Sequence, residues 1–322
     1  MKRRDCFKVG GAMALALVLA WPAGSASAAP KTDLIIMSSV IGGIGFTFSS
    51  AVGGVLQQKG KFRVTLEATP GYVDNAKRLA AGFGDLGITA HDTARAAVAK
   101  REPFQGAKRS LVALVPIHQL DWNIVVRADG NTTQISQLNG KRVNLQPKGS
   151  SSEKTGASIM EALGYKITPS YHRHSEAAQA LRTGQIDAHF MGGSNPVWQQ
   201  FHLSTPLRVL SFTQEELNQI SSKLPHLSPS TFEAGKYYKG AKAVSSVVTW
   251  AILMATREMD DETAYTVTKL IHENKDFMVK QHRGAEVIGT KNALHITVPI
   301  HPGAARYYKE KGVSLGAAQI AK

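Results

Sequence analysis

The sequence predicts an α/β protein made of two Rossmann-like lobes that are joined by a two-strand hinge. Three observations support this prediction: strands alternate with helices along the chain, one helix-to-strand junction occurs twice, and an apolar strand returns late in the sequence. Alternating strands and helices favour a parallel sheet covered by helices. The 322 residues are enough for two cores, because single cores stop growing near about 250–300 residues.

Residues 1–28 are predicted to be a cleavable signal peptide that exports the protein to the periplasm. Basic residues precede an apolar run, Val9–Trp21, and Ala26-Ser27-Ala28 supplies a small-x-small cleavage pattern. The run is too short to span a bilayer, which takes about 20 residues. Arg3-Arg4 leaves both the Sec and the twin-arginine routes open. Because Cys6 is the only cysteine, the mature chain has no disulfide and no cysteine metal site.

The formal net charge of the chain is +14. Its basic residues are scattered as short pairs, such as Lys100-Arg101 and Lys141-Arg142, rather than clustered. Nucleic acid is not expected as a partner in the compartment that the signal peptide implies. The charge is interpreted either as a diffuse field that favours anions or as an ordinary solvated surface.

The first lobe is predicted to be discontinuous, comprising residues 29–120 and 247–322. It opens with an apolar strand at Thr32–Val40, which three glycines follow. Further along the chain we predict a helix closing at Gly60, strands at Phe62–Ala68, Leu86–Ile88, Leu111–Pro116 and Val244–Ala255, and helices at Val73–Ala81, at Asp260–Gln281 and from Pro302 onward.

The second lobe is predicted at residues 121–246 and repeats a helix-to-strand junction of the first. Gly82-x-x-Asp85 and Gly184-x-x-Asp187 each end a helix and open an apolar strand. The glycine of each copy suits the left-handed position after a helix. The elements predicted here are strands at Asn123–Arg127, Val143–Leu145 and Ile186–Phe190, and helices at Glu153–Leu163 and Glu176–Thr183.

A ligand cleft is expected between the lobes, because a chain that crosses twice between them forms a hinge. Ligands of α/β sheets bind at the carboxyl ends of strands. Ser150-x-x-Glu153 there is a capping-box pattern, and a helix N-terminus also suits an anion. The residues predicted to contact the ligand are Gly42, Gly43, Phe46, Tyr72, Asn75, His91, Asp92, Ser150, Ser151, Ser152, Gly192 and Asn195.

Several of these residues also have a purely structural interpretation. The glycine pair serves a tight turn as readily as a close approach of ligand to the backbone. Asn75 suits either a helix cap or a bidentate amide contact with a ligand. His91 and Asp92 equally suit the start of the next helix, with Asp92 as its cap.

Catalytic and metal motifs are absent or incomplete in the sequence. Ser151-x-x-Lys154 and Lys154-Thr155-Gly156 share Lys154, so they cannot form opposite walls of a penicillin-recognising site. His172-x-His174 is the only close histidine pair and has no nearby matching cluster, which favours surface histidines over a metal site. No catalytic residue, cofactor or metal is therefore expected.

Several motifs in order resemble one family of transport receptors. They are Gly42-Gly43, the stretch Gly71-Tyr72-Val73-Asp74-Asn75 through Asp85-Leu86-Gly87-Ile88, the stretch Gly184-Gln185-Ile186-Asp187-Ala188, and the ending His301-Pro302-Gly303-Ala304-Ala305-Arg306-Tyr307-Tyr308. Together they resemble the TAXI family, whose members are receptors of tripartite ATP-independent periplasmic (TRAP) transporters. The resemblance covers essentially the whole mature length.

The resemblance implies a type II-like periplasmic binding protein that delivers a small organic anion or amino acid to the large and small permease subunits of a TRAP transporter, often fused. Ile44, Tyr72 and His91 depart from the residues usual in the family, so the family's amino-acid ligands do not carry over. An acid with an apolar or aromatic body is our hypothesis. The alternatives are a receptor for another transporter or a sensor kinase, and an exported hydrolase or lyase.

Overall fold

The structure is a computed structural model that describes residues 32–39, 41, 44–148, 150–192, 196–236 and 238–322. Ten strands lie in this part of the chain: β1 Asp33–Met37, β2 Arg63–Glu67, β3 Leu86–Ala90, β4 Leu111–Arg127, β5 Arg142–Asn144, β6 Thr168–Ser170, β7 Ala188–Gly192, β8 Leu207–Leu210, β9 Ser228–Phe232 and β10 Val244–Thr256. The helices are α1 Ile44–Gly60, α2 Tyr72–Ala81, α3 His91–Val98, α4 Ser151–Leu163, α5 His174–Arg182, α6 Pro196–Ser204, α7 Gln214–Lys223, α8 Asp261–Glu273, α9 Lys275–Gln281 and α10 Pro302–Glu310.

The strands form one continuous sheet in the order β2-β1-β3-β10-β4-β7-β5-β6, with β8 beside β4 and β9 beside β10. β4 and β10 pair antiparallel from Trp122 and Val247 to Leu111 and Thr256. The remaining strands near each end of the sheet pair in parallel, β1 with β2 and β3, and β5 with β6 and β7. Two long strands therefore connect two α/β units, which confirms the predicted fold class.

The hydrophobic core is divided at the place where these two strands cross. One cluster of buried residues is drawn from residues 34–117 and 250–313. Two others are drawn from residues 122–247 and 125–248, and Leu120 packs against both the first cluster and one of these. The predicted boundaries at residues 120/121 and 246/247 fall within this crossing and stay a prediction, because both strands run through it without a break.

Three details differ from the sequence-based expectations. Leu111–Pro116 and Asn123–Arg127 are parts of the single strand β4, and the sheet is mixed rather than parallel because β4 and β10 are antiparallel to each other. The helix expected at Asp260–Gln281 is broken at Asn274, whose φ of −116° and ψ of 32° lie outside the helical region.

No helix of the described residues is long and apolar enough to cross a membrane.

The two Gly-x-x-Asp junctions have the same geometry. Gly82 and Gly184 have φ values of 90° and 71°, which lie in the left-handed region that favours glycine. Asp85 Oδ2 accepts a hydrogen bond from the Ile35 backbone N–H at 2.8 Å. Asp187 Oδ2 accepts one from the Arg142 backbone N–H, also at 2.8 Å. Each aspartate thus ties the start of its own strand to the strand beside it.

Candidate functional site

The first lobe contributes a cluster of buried polar groups at the carboxyl ends of β1, β2 and β3. Asn75 is fully buried, and its Nδ2 donates to the carbonyls of Ser38 and, at 2.7 Å, of Ile88. Its Oδ1 accepts from Thr69 Oγ1 at 2.5 Å. Asn75 therefore connects the middle of β3 with the segments that follow β1 and β2, and both of its amide hydrogens are used within the protein. It does not cap α2, where Gly71 holds the N-cap position without a side-chain hydrogen bond.

Tyr72 forms an aromatic wall together with two residues of other elements. Its hydroxyl lies 3.0 Å from His118 Nε2, and His118 Nδ1 lies 3.2 Å from the Gln119 carbonyl. The carbonyl can only accept, so Nδ1 carries the proton and Nε2 accepts from Tyr72. The His118 ring stacks on Phe48 at 4.3 Å between centroids. Burial lowers the pKa of His118 to about 4, so the imidazole is neutral at physiological pH.

The second lobe contributes the N-terminus of α4. Ser150 is the N-cap, and its Oγ accepts from the Glu153 backbone N–H at 3.1 Å, as the capping pattern predicts. Gln146, in the loop that leads to this cap, has a φ of 71°, a strained conformation for a residue other than glycine. Its side chain donates to the Phe190 carbonyl at 3.3 Å. This bond connects the loop to β7.

A cavity of about 350 Å³ lies between these two walls. It is lined by residues of both lobes, namely Pro70, Gly71, Tyr72, Val73, Asp74, Lys77, Ser150 and Ser151. Its size is at the lower end of the range for small-molecule pockets, about 300–1,000 Å³. The structure thus brings Tyr72, Ser150 and Ser151 together across the cleft. Ser152 follows in the first turn of α4 and is not part of the lining.

His91 and Asp92 lie at the start of α3, which begins at His91 with Ala90 as N-cap, so the interpretation of Asp92 as the cap is wrong. His91 is fully buried, and its Nε2 accepts from the Thr297 backbone N–H at 3.1 Å. Burial, with the charge of Arg95 as a smaller cause, lowers the His91 pKa to about 3. Asp92 lines a second cavity between the lobes rather than the first.

The remaining predicted residues have separate outcomes. Phe46 is half-buried in α1 and is not among the residues that line the first cavity. Gly192 pairs with Trp122, and a Cβ at this glycine would lie 2.9 Å from the Trp122 ring, so the position requires a residue without a side chain. Gly42, Gly43 and Asn195 lie outside the described residues.

His118 and Gln146 are the residues that the sequence reasoning missed. His118 is the first of several polar residues, with Gln119, Asp121 and Asn123, that interrupt the apolar pattern of β4, and such an interruption indicates a functional or hinge position. Gln146 precedes a proline, which indicates a restricted backbone but gives no sign of a positive φ. No group of three or more metal-ligating side chains is found among the described residues.

A comparison with protein families assigns this chain to one family. The NMT1-like family matches residues 41–312, which is most of the sequence. The chain belongs to the NMT1-like family. This match includes the described walls of the cleft and both strands that connect the lobes.

Among solved structures, the chain is similar to the periplasmic aliphatic sulphonate binding protein SsuA from Escherichia coli, with 19% identity over 89% of this chain and 90% of that one and a TM-score of 0.49. XAC2383 from Xanthomonas citri bound to ATP gives 12% identity, 87% and 95% coverage and a TM-score of 0.49. The substrate binding protein of an amino acid ABC transporter gives 15% identity over 79% of this chain and 96% of that one, with a TM-score of 0.44. With TM-scores below 0.5, these proteins give no information on what this chain binds.

Proposed function

We propose that this protein is a periplasmic solute-binding receptor that captures a small organic anion, a carboxylate or an amino acid, between its two lobes and delivers it to a TRAP-type transporter. The observation that supports this most is the cavity shared by Tyr72 of one lobe and Ser150 and Ser151 of the other. A site divided in this way forms fully only when the lobes come together. Ligand binding therefore favours closure about β4 and β10.

The chemistry of the second wall supports an anion as the ligand. The first turn of α4 presents backbone N–H groups and the positive end of the helix dipole, and Ser151 adds a hydroxyl. The Tyr72 wall adds apolar surface, because its hydroxyl already donates to neutral His118. A carboxylate at α4 with an apolar body against Tyr72 fits both walls. Such a receptor binds and releases its ligand unchanged, so it needs neither a catalytic base nor a nucleophile.

The test is heat unfolding of residues 29–322, freed of co-purified ligand, in the presence of separate carboxylates, amino acids and aromatic acids. A ligand at 100 times its Kd stabilises the folded state by about 2.7 kcal/mol. We expect an acid to raise the Tm and to be recovered chemically unchanged. An absence of stabilisation across the panel would contradict the proposal, and turnover of the acid would indicate an enzyme.

Two serine variants test where the ligand binds. We expect Ser151→Ala, which changes the lining of the cavity, to weaken binding of the acid about three- to tenfold. Ser175→Ala is the matched control, because Ser175 is exposed in the first turn of α5 and lines neither cavity. Equal affinities of the two variants and the parent would show that the ligand binds elsewhere.

The transporter class is tested in cells that lack this receptor. We expect uptake of the identified acid to fall and to return when the receptor is supplied. Uptake should stop when the ion gradients are collapsed while ATP is maintained, because a TRAP permease uses such gradients. Uptake that follows ATP instead would contradict the TRAP assignment and leave the receptor function standing.

A further inference from the structure

A second cavity, of about 650 Å³, lies beside the first between helices α3 and α4. Val73 lines both cavities, and Thr155 of the second follows Ser151 of the first by about one turn of α4. The two cavities are therefore neighbours along the same helix. We call the second one the α3–α4 pocket.

Four cationic side chains line the α3–α4 pocket. None of them forms an ion pair with a carboxylate in the described part of the chain. The first lobe supplies Arg95 and Arg101, and the second lobe supplies Lys154 and Lys223. Cations from both lobes thus face one space when the lobes are together, and negative charge in that space reduces their mutual repulsion.

The hydrogen-bond partners of two of these cations carry no negative charge. Arg95 donates to His226 Nδ1 at 2.9 Å, and burial lowers the pKa of His226 to about 4, so this imidazole is neutral near pH 7. Lys223 Nζ donates to the Ala162 carbonyl at 2.6 Å. Neither contact neutralises the charge of the donor.

Acidic side chains are also present, but in smaller number. Asp92, Glu102 and Glu153 line the pocket, so it holds one more cation than acids. Burial raises the pKa of Asp92, with nearby Lys154 acting in the opposite direction. Glu102 accepts a hydrogen bond from Gln105 at 3.0 Å. The carboxylates therefore reduce the positive field of the pocket without cancelling it.

A neutral donor in the same pocket lacks a partner. Thr155 is 3% exposed, and its Oγ1 has no hydrogen-bond partner among the described residues. Buried hydroxyls are nearly always hydrogen-bonded, so each exception needs an explanation. An acceptor oxygen in the α3–α4 pocket would provide the missing partner and would also lie among the cations. This combination is what an oxyanion requires.

We propose that the α3–α4 pocket is a second anion subsite, which binds an oxyanion group that is either the distal acid of the captured solute or a free sulfate or phosphate. The proposal rests on the proposed function, since the first cavity holds the first acid group of the solute. Lys154 and Arg101 contact the oxyanion from opposite lobes and so favour closure. The adjacent positions of the two cavities select solutes whose acid groups lie about 5–11 Å apart, which is one to two turns of α4.

The experiment compares residues 29–322 with Lys154→Gln, Arg101→Gln and the control Lys166→Gln, whose lysine is exposed on the second lobe and lines neither cavity. In the first arm, millimolar sodium sulfate is compared with sodium chloride at equal ionic strength by heat unfolding. In the second arm, the affinities of a dicarboxylate and of the monocarboxylate of equal chain length are measured by titration calorimetry.

The two arms distinguish the two sources of the oxyanion. A sulfate-specific rise in Tm that Lys154→Gln and Arg101→Gln remove would identify a free anion. A dicarboxylate preference of tenfold or more that the same variants remove would identify the distal acid of the solute. General stabilisation by sulfate does not interfere, because it affects all four proteins alike. If neither arm distinguishes the two variants from Lys166→Gln, the subsite is overturned.

Failure of the subsite is distinguishable from failure of the receptor function. Ser151→Ala acts in the first cavity and should weaken monocarboxylate and dicarboxylate binding equally, while leaving any effect of sulfate unchanged. Acid binding that depends on Ser151 but not on Lys154 or Arg101 retains the receptor and removes the subsite. Sulfate binding that depends on Lys154, without binding of any organic acid, retains the anion subsite and removes the proposed function.

Discussion

The two lobes share a junction but differ in how their cores and cleft walls are built. Each begins a strand with Gly-x-x-Asp, and each aspartate accepts a backbone hydrogen bond at 2.8 Å. The first lobe has one large buried cluster, whereas the second has two smaller ones. The cleft wall of the first lobe is the half-buried Tyr72, whose hydroxyl lies against the buried pair of His118 and Phe48, and that of the second is the start of α4.

This difference shows that two lobes with the same helix-to-strand junction build their cleft walls in different ways. In the first lobe the wall is fixed by core packing, because His118 is 1% exposed and holds Tyr72 through a defined tautomer. In the second lobe the wall consists of backbone N–H groups and serine hydroxyls on a loop braced by Gln146. Under the proposed function, the first lobe therefore sets the shape of the site, and the second provides the groups that bind the anion.

The largest effect is expected where the first lobe is packed most closely. A Cβ at Gly303 would lie 2.1 Å from the Asp261 carbonyl oxygen, so Gly303→Ala must displace α10 from α8. We expect a loss of more than about 3 kcal/mol in the free energy of unfolding. Denaturant unfolding measures this loss.

Gly184→Ala in the second lobe is the comparison. No atom lies within 4 Å of a Cβ at Gly184, so the substitution destabilises the protein only through the φ of 71°. We expect this backbone strain to lower the free energy of unfolding by about 1–2 kcal/mol. If Gly303→Ala costs no more than Gly184→Ala, close packing does not distinguish the two lobes.

An intermediate effect is expected from acid, because the wall of the first lobe depends on a neutral histidine. The folded-state pKa of His118, about 4, lies below the ordinary value, so the unfolded chain binds a proton that the folded chain does not. The stabilisation is complete above about pH 6.5 and is lost as the pH falls towards 4. Between about pH 7.5 and about pH 5 this single group lowers the free energy of unfolding by about 2 kcal/mol.

The variant His118→Phe separates this contribution from those of other histidines. It keeps an aromatic ring against Phe48 but cannot titrate, so its loss on acidification should be smaller than that of the parent by about 2 kcal/mol. The parent loses more in total, because burial also lowers the pKa of His91, His226 and His272. Denaturant curves at the two pH values give the comparison. Equal losses in variant and parent would show that His118 does not titrate in this way.

The features that were predicted correctly from the sequence depend on local chemistry. Gly82 and Gly184 have left-handed φ values because a helix end followed at once by a strand demands a sharp turn. Ser150 caps α4 because its side chain needs only a backbone N–H three residues ahead. In both cases the partner groups lie within a few residues, so a short window of sequence contains the whole interaction.

The features that could not be predicted depend on segments that are far apart in the chain. The sequence predicts a ligand contact or a helix cap for Asn75, but its partners come from β3 and from the segments that follow β1 and β2. Polar Gln119 and Asp121 interrupt the apolar pattern of β4, so the pattern predicts two strands, although β10 pairs with β4 from Leu111 to Trp122. Such cases require knowledge of the sheet order, which the pattern of a single strand does not contain.

The smallest effect is expected at the shared junction, where the comparison is closest. Asp85→Ala and Asp187→Ala each remove the acceptor of one strand N–H, so we expect a loss of about 1–2 kcal/mol in both lobes. Asp187 also pairs with the half-exposed Arg142 guanidinium at 2.9 Å, which lowers the pKa of this carboxyl and adds less than about 1 kcal/mol. Arg142→Gln, measured alone by denaturant unfolding, gives that addition directly. A loss at Asp187 that exceeds the loss at Asp85 by several kcal/mol, with Arg142→Gln neutral, would show that the two junctions are similar in geometry but not in energy.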